Sequence, residues 1–277
     1  MEDMSALLTR VADALDRMAP PVLAMADPAM APAYVWRQGV LTATTHFRPL
    51  PLDVLTGIDQ QKQILLENTR RLAAGHAAHD ALLWGSRGMG KSAMVKAVVA
   101  DCRKAGSDIA LIEVSADSLS SLPALFRLIG GMERRFVLFL DDIGFEEQSP
   151  APRLLRSLLE GGAEARPANA RLYVTANRRN IVHRDMREQD DPINMRDVVD
   201  DRLALADRFG LSLGFHACDQ DHYVAMVAGY AQRLGLVFDP LDAIQWATQR
   251  GARSGRIAWH YVQELAGRAG RSVDGLE

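Results

Sequence analysis

The chain has 277 residues, is 48% apolar and 24% charged, and carries a net charge of −3 with a pI of about 6.2. That is an ordinary globular composition, long enough for one large domain or two smaller ones. No global basic field points to nucleic acid, which stays an open partner class only through a local patch. Two distant cysteines, Cys102 and Cys218, are expected as buried thiols of a reducing cytoplasm rather than as a disulfide. The first residues, Met1-Glu2-Asp3-Met4, are acidic where a signal peptide would be basic. No apolar run approaches the roughly 20 residues that span a bilayer. The expectation is a cytoplasmic protein without a membrane partner.

Met4, Leu7, Leu8, Val11, Leu15 and Met18 fall at helical spacing, which predicts an amphipathic helix over 3–18. Pro20, Pro21, Pro28 and Pro32 make 19–33 a linker or irregular arm. The stretch from Ala33 to Phe47, with Tyr34, Val35, Trp36, Val40 and Leu41, suits extended structure. It would dock on the core or contact a neighbouring subunit. Leu52 to Asp59 leads into a helix through Gln60, Ile64, Leu65 and Leu72, ended by Gly75. An apolar loop and helix at this place suit the wall of an adenine pocket; simple packing on a sheet is equally open.

Gly85-Ser86-Arg87-Gly88-Met89-Gly90-Lys91-Ser92 fits G-x-x-x-x-G-K-S/T, the phosphate-binding P-loop. Glycines allow positive φ, so backbone N–H groups can turn inward as a nest for phosphate oxygens. The helix starting near Lys91 aims its positive end at the same anion. Lys91 would reach the β- and γ-phosphates of ATP and the Ser92 hydroxyl would ligate Mg²⁺. Ala81 to Trp84 reads as a strand and Ala93 to Ala100 as a helix, the strand–loop–helix setting such a motif needs.

Further strands are expected at Ile109–Val114, Phe136–Leu140, Leu172–Ala176 and Leu211–Phe215, with a helix from Leu119 to Met132 broken near Gly130-Gly131. Strands alternating with helices imply a parallel α/β sheet. Phe136 to Leu140 ends in Asp141-Asp142, which places carboxylates at the strand edge where ligands sit. Asp141 would hold Mg²⁺; Asp142 would orient or deprotonate the attacking water, although it is one methylene shorter than a glutamate. Asn177 ends the next strand and suits positioning of water or γ-phosphate; an asparagine turn cap is the plainer reading. Arg208 precedes the last strand, where it could project to a neighbour's nucleotide, and Arg256 opens a late helix that could close over the phosphates. For either arginine a surface ion pair is the ordinary alternative.

Taken together these residues resemble the AAA+ family of P-loop ATPases. Gly85–Ser92 is similar to Walker A, Phe136–Asp142 to Walker B, Asn177 to sensor 1, Arg208 to the arginine finger and Arg256 to sensor 2. Leu82-Leu83-Trp84-Gly85, Leu159-Glu160-Gly161-Gly162, Thr175-Ala176-Asn177-Arg178-Arg179, Leu205 to Gly210 and Gly251 to Arg256 resemble, more narrowly, an uncharacterised AAA+ family filed as a domain of unknown function. The resemblance implies a five-stranded parallel sheet of order 5-1-4-3-2, a small C-terminal helical lid, nucleotide bound between subunits and assembly into a ring or filament. Asp141-Asp142 departs from the commoner Asp-Glu, which bears on the rate of hydrolysis.

The lid also reads from its own residues. Asp219 can cap a helix with Tyr223, Val224, Met226, Val227 and Tyr230; Asp239-Pro240 starts a second; Ser254 caps a third through Ile257, Trp259, Tyr261, Val262 and Leu265. Their aromatics suit a core. Residues 178–203 form a mixed-charge stretch, read as a solvated loop and helix or as a partner surface. The expected organisation is an N-terminal helix and arm over 1–46, a nucleotide-binding α/β domain over 47–216 and the lid over 217–277. The expected function is Mg²⁺-dependent binding and hydrolysis of ATP by a self-assembling homo-oligomer that remodels or loads a macromolecular partner. The alternative is a slow-hydrolysing, nucleotide-gated binding module or assembly switch.

Overall fold

A computed structural model describes residues 4–18, 25–143, 151–160, 165–177 and 207–273. The charged stretch 178–203 therefore lies outside the described residues, as do Gly161 and Gly162. The chain runs α1 (Met4–Met18), β1 (Ala33–Arg37), β2 (Val40–Ala43), a 3-10 turn (Leu52–Val54), α2 (Asp59–Ala73), β3 (Ala81–Gly85), α3 (Lys91–Lys104) and β4 (Ile109–Val114). A second 3-10 turn (Ala116–Ser121) precedes α4 (Leu122–Ile129), β5 (Arg135–Leu140), α5 (Ala151–Glu160), β6 (Ala170–Asn177) and β7 (Leu211–Phe215). Three helices close the chain: α6 (Gln220–Arg233), α7 (Pro240–Gln249) and α8 (Gly255–Arg268).

The sheet has seven strands in the order β2-β1-β4-β5-β6-β3-β7. This corrects the expected sheet of five strands in the order 5-1-4-3-2. The stretch from Ala33 to Phe47, expected as extended structure, supplies the hairpin β1–β2, turned at Gln38 and Gly39, which both adopt positive φ. β1 pairs parallel with β4, Ala33 opposite Leu111 and Trp36 opposite Val114, so two strands extend the sheet beyond β4. The edge strand β2 is antiparallel to β1; all other pairings are parallel. From β3 onward the strands lie side by side as β7-β3-β6-β5-β4.

Both faces of the sheet are covered, which is why the strands read as unbroken apolar runs. Along β5, Val137 and Phe139 join a core with α2, α3 and the C-terminal helices, while Phe136, Leu138 and Leu140 join a second core with β1 and α4. The helix expected from Leu119 to Met132 resolves into the second 3-10 turn and α4, which ends at Gly130. Helix α5 was not expected from the sequence; Leu155 anchors it in the second core. The three late helices begin at the expected caps: Asp219 accepts from the His222 N–H, Asp239 from Leu241 and Ser254 from Ile257.

One buried polar network fixes the helix in front of β3. Asn68 receives the His79 N–H at 2.9 Å and donates to the His79 carbonyl at 2.9 Å, so α2 holds the loop that enters the strand. Asn68 also donates to the Tyr173 hydroxyl at 3.0 Å. The Thr69 hydroxyl spends its proton on the Leu65 carbonyl at 2.7 Å, so Tyr173 donates to Thr69 at 2.9 Å. Burial pushes the Tyr173 phenol up to about 12. Replacing Tyr173 by Phe takes one hydrogen bond from each of two buried partners, Asn68 and Thr69. Urea unfolding should show Tyr173→Phe destabilised by about 1–3 kcal/mol with an unchanged m-value.

Candidate functional site

Parallel register brings the polar ends of three strands to one edge. Gly85 at the end of β3 lies opposite Asn177 of β6 and Phe215 of β7, and Leu140 of β5 lies opposite Val174. The chain then turns from β3 into α3 through glycines at φ values only they adopt freely: 128° at Gly85, 74° at Gly88 and 86° at Gly90. Gly85 is the tightest. A Cβ there would stand 2.0 Å from the Phe215 carbonyl oxygen, the group that receives the Ser86 N–H at 2.7 Å.

Lys91, the first residue of α3, is 7% exposed. Its ammonium donates to the carbonyls of Gly85 and Ser86, both at 2.8 Å, and reaches Asn177 Oδ1 at 3.4 Å. Burial pulls its pKa below the usual lysine value, against the attraction of Asp142 and Asp141. A bound polyanion would offset that desolvation. Ser92 Oγ donates to Asp141 Oδ1 at 2.6 Å. The Thr175 hydroxyl donates to the same carboxylate oxygen at 2.6 Å and accepts the Asp142 N–H at 2.7 Å. Asp142 takes φ 49°, a left-handed conformation that aspartate tolerates better than most residues, and its carboxylate receives the Asn177 amide. Arg87 stands 4.0 Å from Asp142 in an exposed pair.

These groups form one side of a cleft of about 600 Å³. Leu50, Val54, Leu55 and Ile58 also line it, and Met226, Tyr230 and Trp259 line it from α6 and α8. The apolar stretch ahead of α2 therefore does form a wall. Tyr223 and Tyr261 are core residues as expected, whereas Tyr230 and Trp259, packed edge to face at 5.3 Å, also face the cleft. Helix α8 meets the loop directly. The Arg256 N–H donates to the Gly88 carbonyl at 3.2 Å, and a Cβ on Gly88 would stand 2.9 Å from Ser254 Oγ. Asp53 pairs with Arg233 at 2.6 Å and ties α6 to the wall.

The structure brings Arg87 to Ser92, Asp141, Asp142, Asn177 and Arg256 to one cleft, with Gly85 and Ser86 at its root. Arg208 is elsewhere. It is held by Glu160 at the end of α5, with Nε 2.8 Å from Oε1, and does not line the cleft. Thr175 was missed from sequence. A threonine inside a strand carries no signal of its own; only its place two residues before Asn177 distinguishes it. Among the described residues no cluster of three or more His, Cys, Asp or Glu side chains could hold a metal alone. The donors Ser92 and Asp141 suit a hard cation that shares its coordination with phosphate oxygens and water. The described thiols, Cys102 and Cys218, are free, and no described helix is long and apolar enough to cross a membrane.

A family model described as "Protein of unknown function (DUF815)" matches residues 29–269. The chain belongs to this family. Among solved structures, this DUF815 chain is similar to Aeropyrum pernix ORC2 in ADPNP and ADP complexes, at 18% identity and TM-score 0.55, over 83% of this chain and 68% of that one. Aeropyrum pernix ORC1 in complex with DNA is 15% identical with TM-score 0.54, covering 83% and 67%. The Thermotoga maritima RuvB Holliday junction branch migration motor is 17% identical with TM-score 0.50, covering 82% and 70%. At these identities the likeness is one of fold; with the family match it bears out the resemblance to the AAA+ P-loop fold and to a family of unknown function. No curated protein matches the sequence.

The contact at Gly85 gives a direct check on the loop. Gly85→Ala should destabilise the protein by about 3 kcal/mol or more in urea unfolding, because the clash is with backbone and the positive φ is lost as well.

Proposed function

We propose that this DUF815 chain binds Mg²⁺ and ATP in the cleft and hydrolyses ATP when a second subunit completes the site. The observation that carries this reading is the convergence of Lys91, Ser92, Asp141 and Asn177 at the loop beneath an apolar wall. The backbone nest and Lys91 bind the phosphates; Leu50, Val54, Leu55, Ile58, Met226, Tyr230 and Trp259 receive the adenine. Ser92 and Asp141 would hold the cation, which would neutralise the charge of the phosphates. Asp142 accepts a proton from the attacking water, and Asn177 orients both that water and the Asp142 carboxylate. Thr175 fixes Asp141 and the Asp142 backbone together. Arg256, seated on Gly88, places α8 and its helical neighbours, within the lid 217–277, over the cleft.

Arg208 acts in trans on this reading, at a neighbour's phosphates, since Glu160 holds it away from its own cleft. The assembly is a homo-oligomer that remodels or loads a macromolecular partner in the cytoplasm. The DNA and the Holliday junction named for two structural neighbours keep nucleic acid among the partner classes. A second reading, the nucleotide-gated switch, draws on Asp142. Its short side chain is engaged by Asn177, an arrangement suited to slow turnover that resets a bound state.

Calorimetry should show that Lys91→Ala abolishes ATP binding. Arg208→Ala should leave binding intact and lower turnover of the assembled protein by about 10³-fold or more. Turnover per subunit should rise with protein concentration; turnover independent of concentration and of Arg208 rejects the trans role. Separately, Thr175→Val should weaken Mg²⁺-dependent nucleotide binding about tenfold while sparing binding in chelator.

A further inference from the structure

Helix α1 carries an apolar seam that the rest of the described chain does not cover. Met4, Leu8 and Val11 are 69%, 62% and 54% exposed, and Leu7 beside them is 39% exposed. In sequence, Met4, Leu8, Val11, Leu15 and Met18 are spaced by four, three, four and three residues, the alternation that keeps one seam facing a partner helix. The flanking positions are Ser5, Leu7, Ala12 and Ala14, none of them charged. All four charged residues, Arg10, Asp13, Asp16 and Arg17, occupy the positions away from the seam.

That distribution selects the occupant. Two like helices meeting along this seam bring no like charges together, so a second copy of the same segment meets no electrostatic penalty. The helix has two arginines and two aspartates, hence no net charge to draw it to an anionic lipid surface. At 15 residues it is at the length where an isolated helix is marginal in water and needs tertiary or quaternary packing. We infer that α1 is a self-association element whose Met4–Leu8–Val11 seam packs on α1 of another copy of this chain. This contact is separate from the nucleotide cleft and does not depend on it. Joined to it, the pairing raises the effective concentration of subunits for assembly.

Position-specific cross-linking tests this on the full chain without nucleotide. Leu8→Cys, on the seam, and Asp13→Cys, on the opposite face, are treated with a short bismaleimide, and the unsubstituted chain reports any linking through Cys218. Leu8→Cys should link at least about tenfold faster than Asp13→Cys. In sedimentation velocity, Val11→Asp should weaken nucleotide-free association about tenfold or more and leave ATP binding unchanged. Equal linking at the two positions, a chain monomeric without nucleotide, or Val11→Asp without effect overturns the inference. Co-sedimentation with phosphatidylcholine–phosphatidylglycerol vesicles that Val11→Asp abolishes, without seam-specific linking, overturns it in favour of a lipid surface. Linking that persists with Lys91→Ala separates this contact from the nucleotide reading, so either can fail alone.

Discussion

The parallel register of β3 with its two neighbours decides where every polar group of the cleft stands. Gly85 must face Phe215 on one side and Asn177 on the other for Lys91 to find two backbone carbonyls and the Asn177 amide oxygen within reach. A slip of one residue would turn each strand's side chains to the opposite core and send Asn177 away from the loop. The two cores enforce the register, because Val137 and Phe139 fit one and Phe136 and Leu138 the other. The Asn68–Thr69–Tyr173 network adds a polar constraint that apolar packing cannot supply, since it is directional. Precision at the loop is thus set from the middle of the sheet outward.

The late helices complete the cleft by touching the loop itself. The contact between Gly88 and the start of α8 leaves no room for a side chain, so loop and helix are matched in shape as well as joined by a hydrogen bond. Asp53 and Arg233 add a second tie between α6 and the wall, an exposed pair worth at most about 1 kcal/mol. The principal linkage is therefore packing around Met226 and Tyr230, with the polar contacts fixing orientation.

Features determined locally were legible in the sequence. The glycine-rich loop between β3 and α3, the four later strands and the caps Asp219, Asp239 and Ser254 all follow from short-range chemistry and lie where expected. Features that depend on distant partners were not. β1 looks like any short extended stretch, and its place in the sheet comes from pairing with β4 more than seventy residues away. Thr175 and Trp259 are ordinary residues for a strand and a helix, and only the assembled fold turns them to the cleft. Helix α5 starts after Pro150 and carries Pro152 in its first turn, and its apolar face becomes evident only against the second core.

The pair between Glu160 and Arg208 has an energetic meaning beyond its geometry. Arg208 is about one third exposed and Glu160 about one half, so solvent screens their attraction to roughly 0–1 kcal/mol. On the proposed trans role, the Glu160 pair itself adds little to the cost of moving Arg208 to a phosphate. Because a triphosphate carries more charge than one carboxylate, salt would weaken that engaged pose more than the resting one and so oppose the exchange.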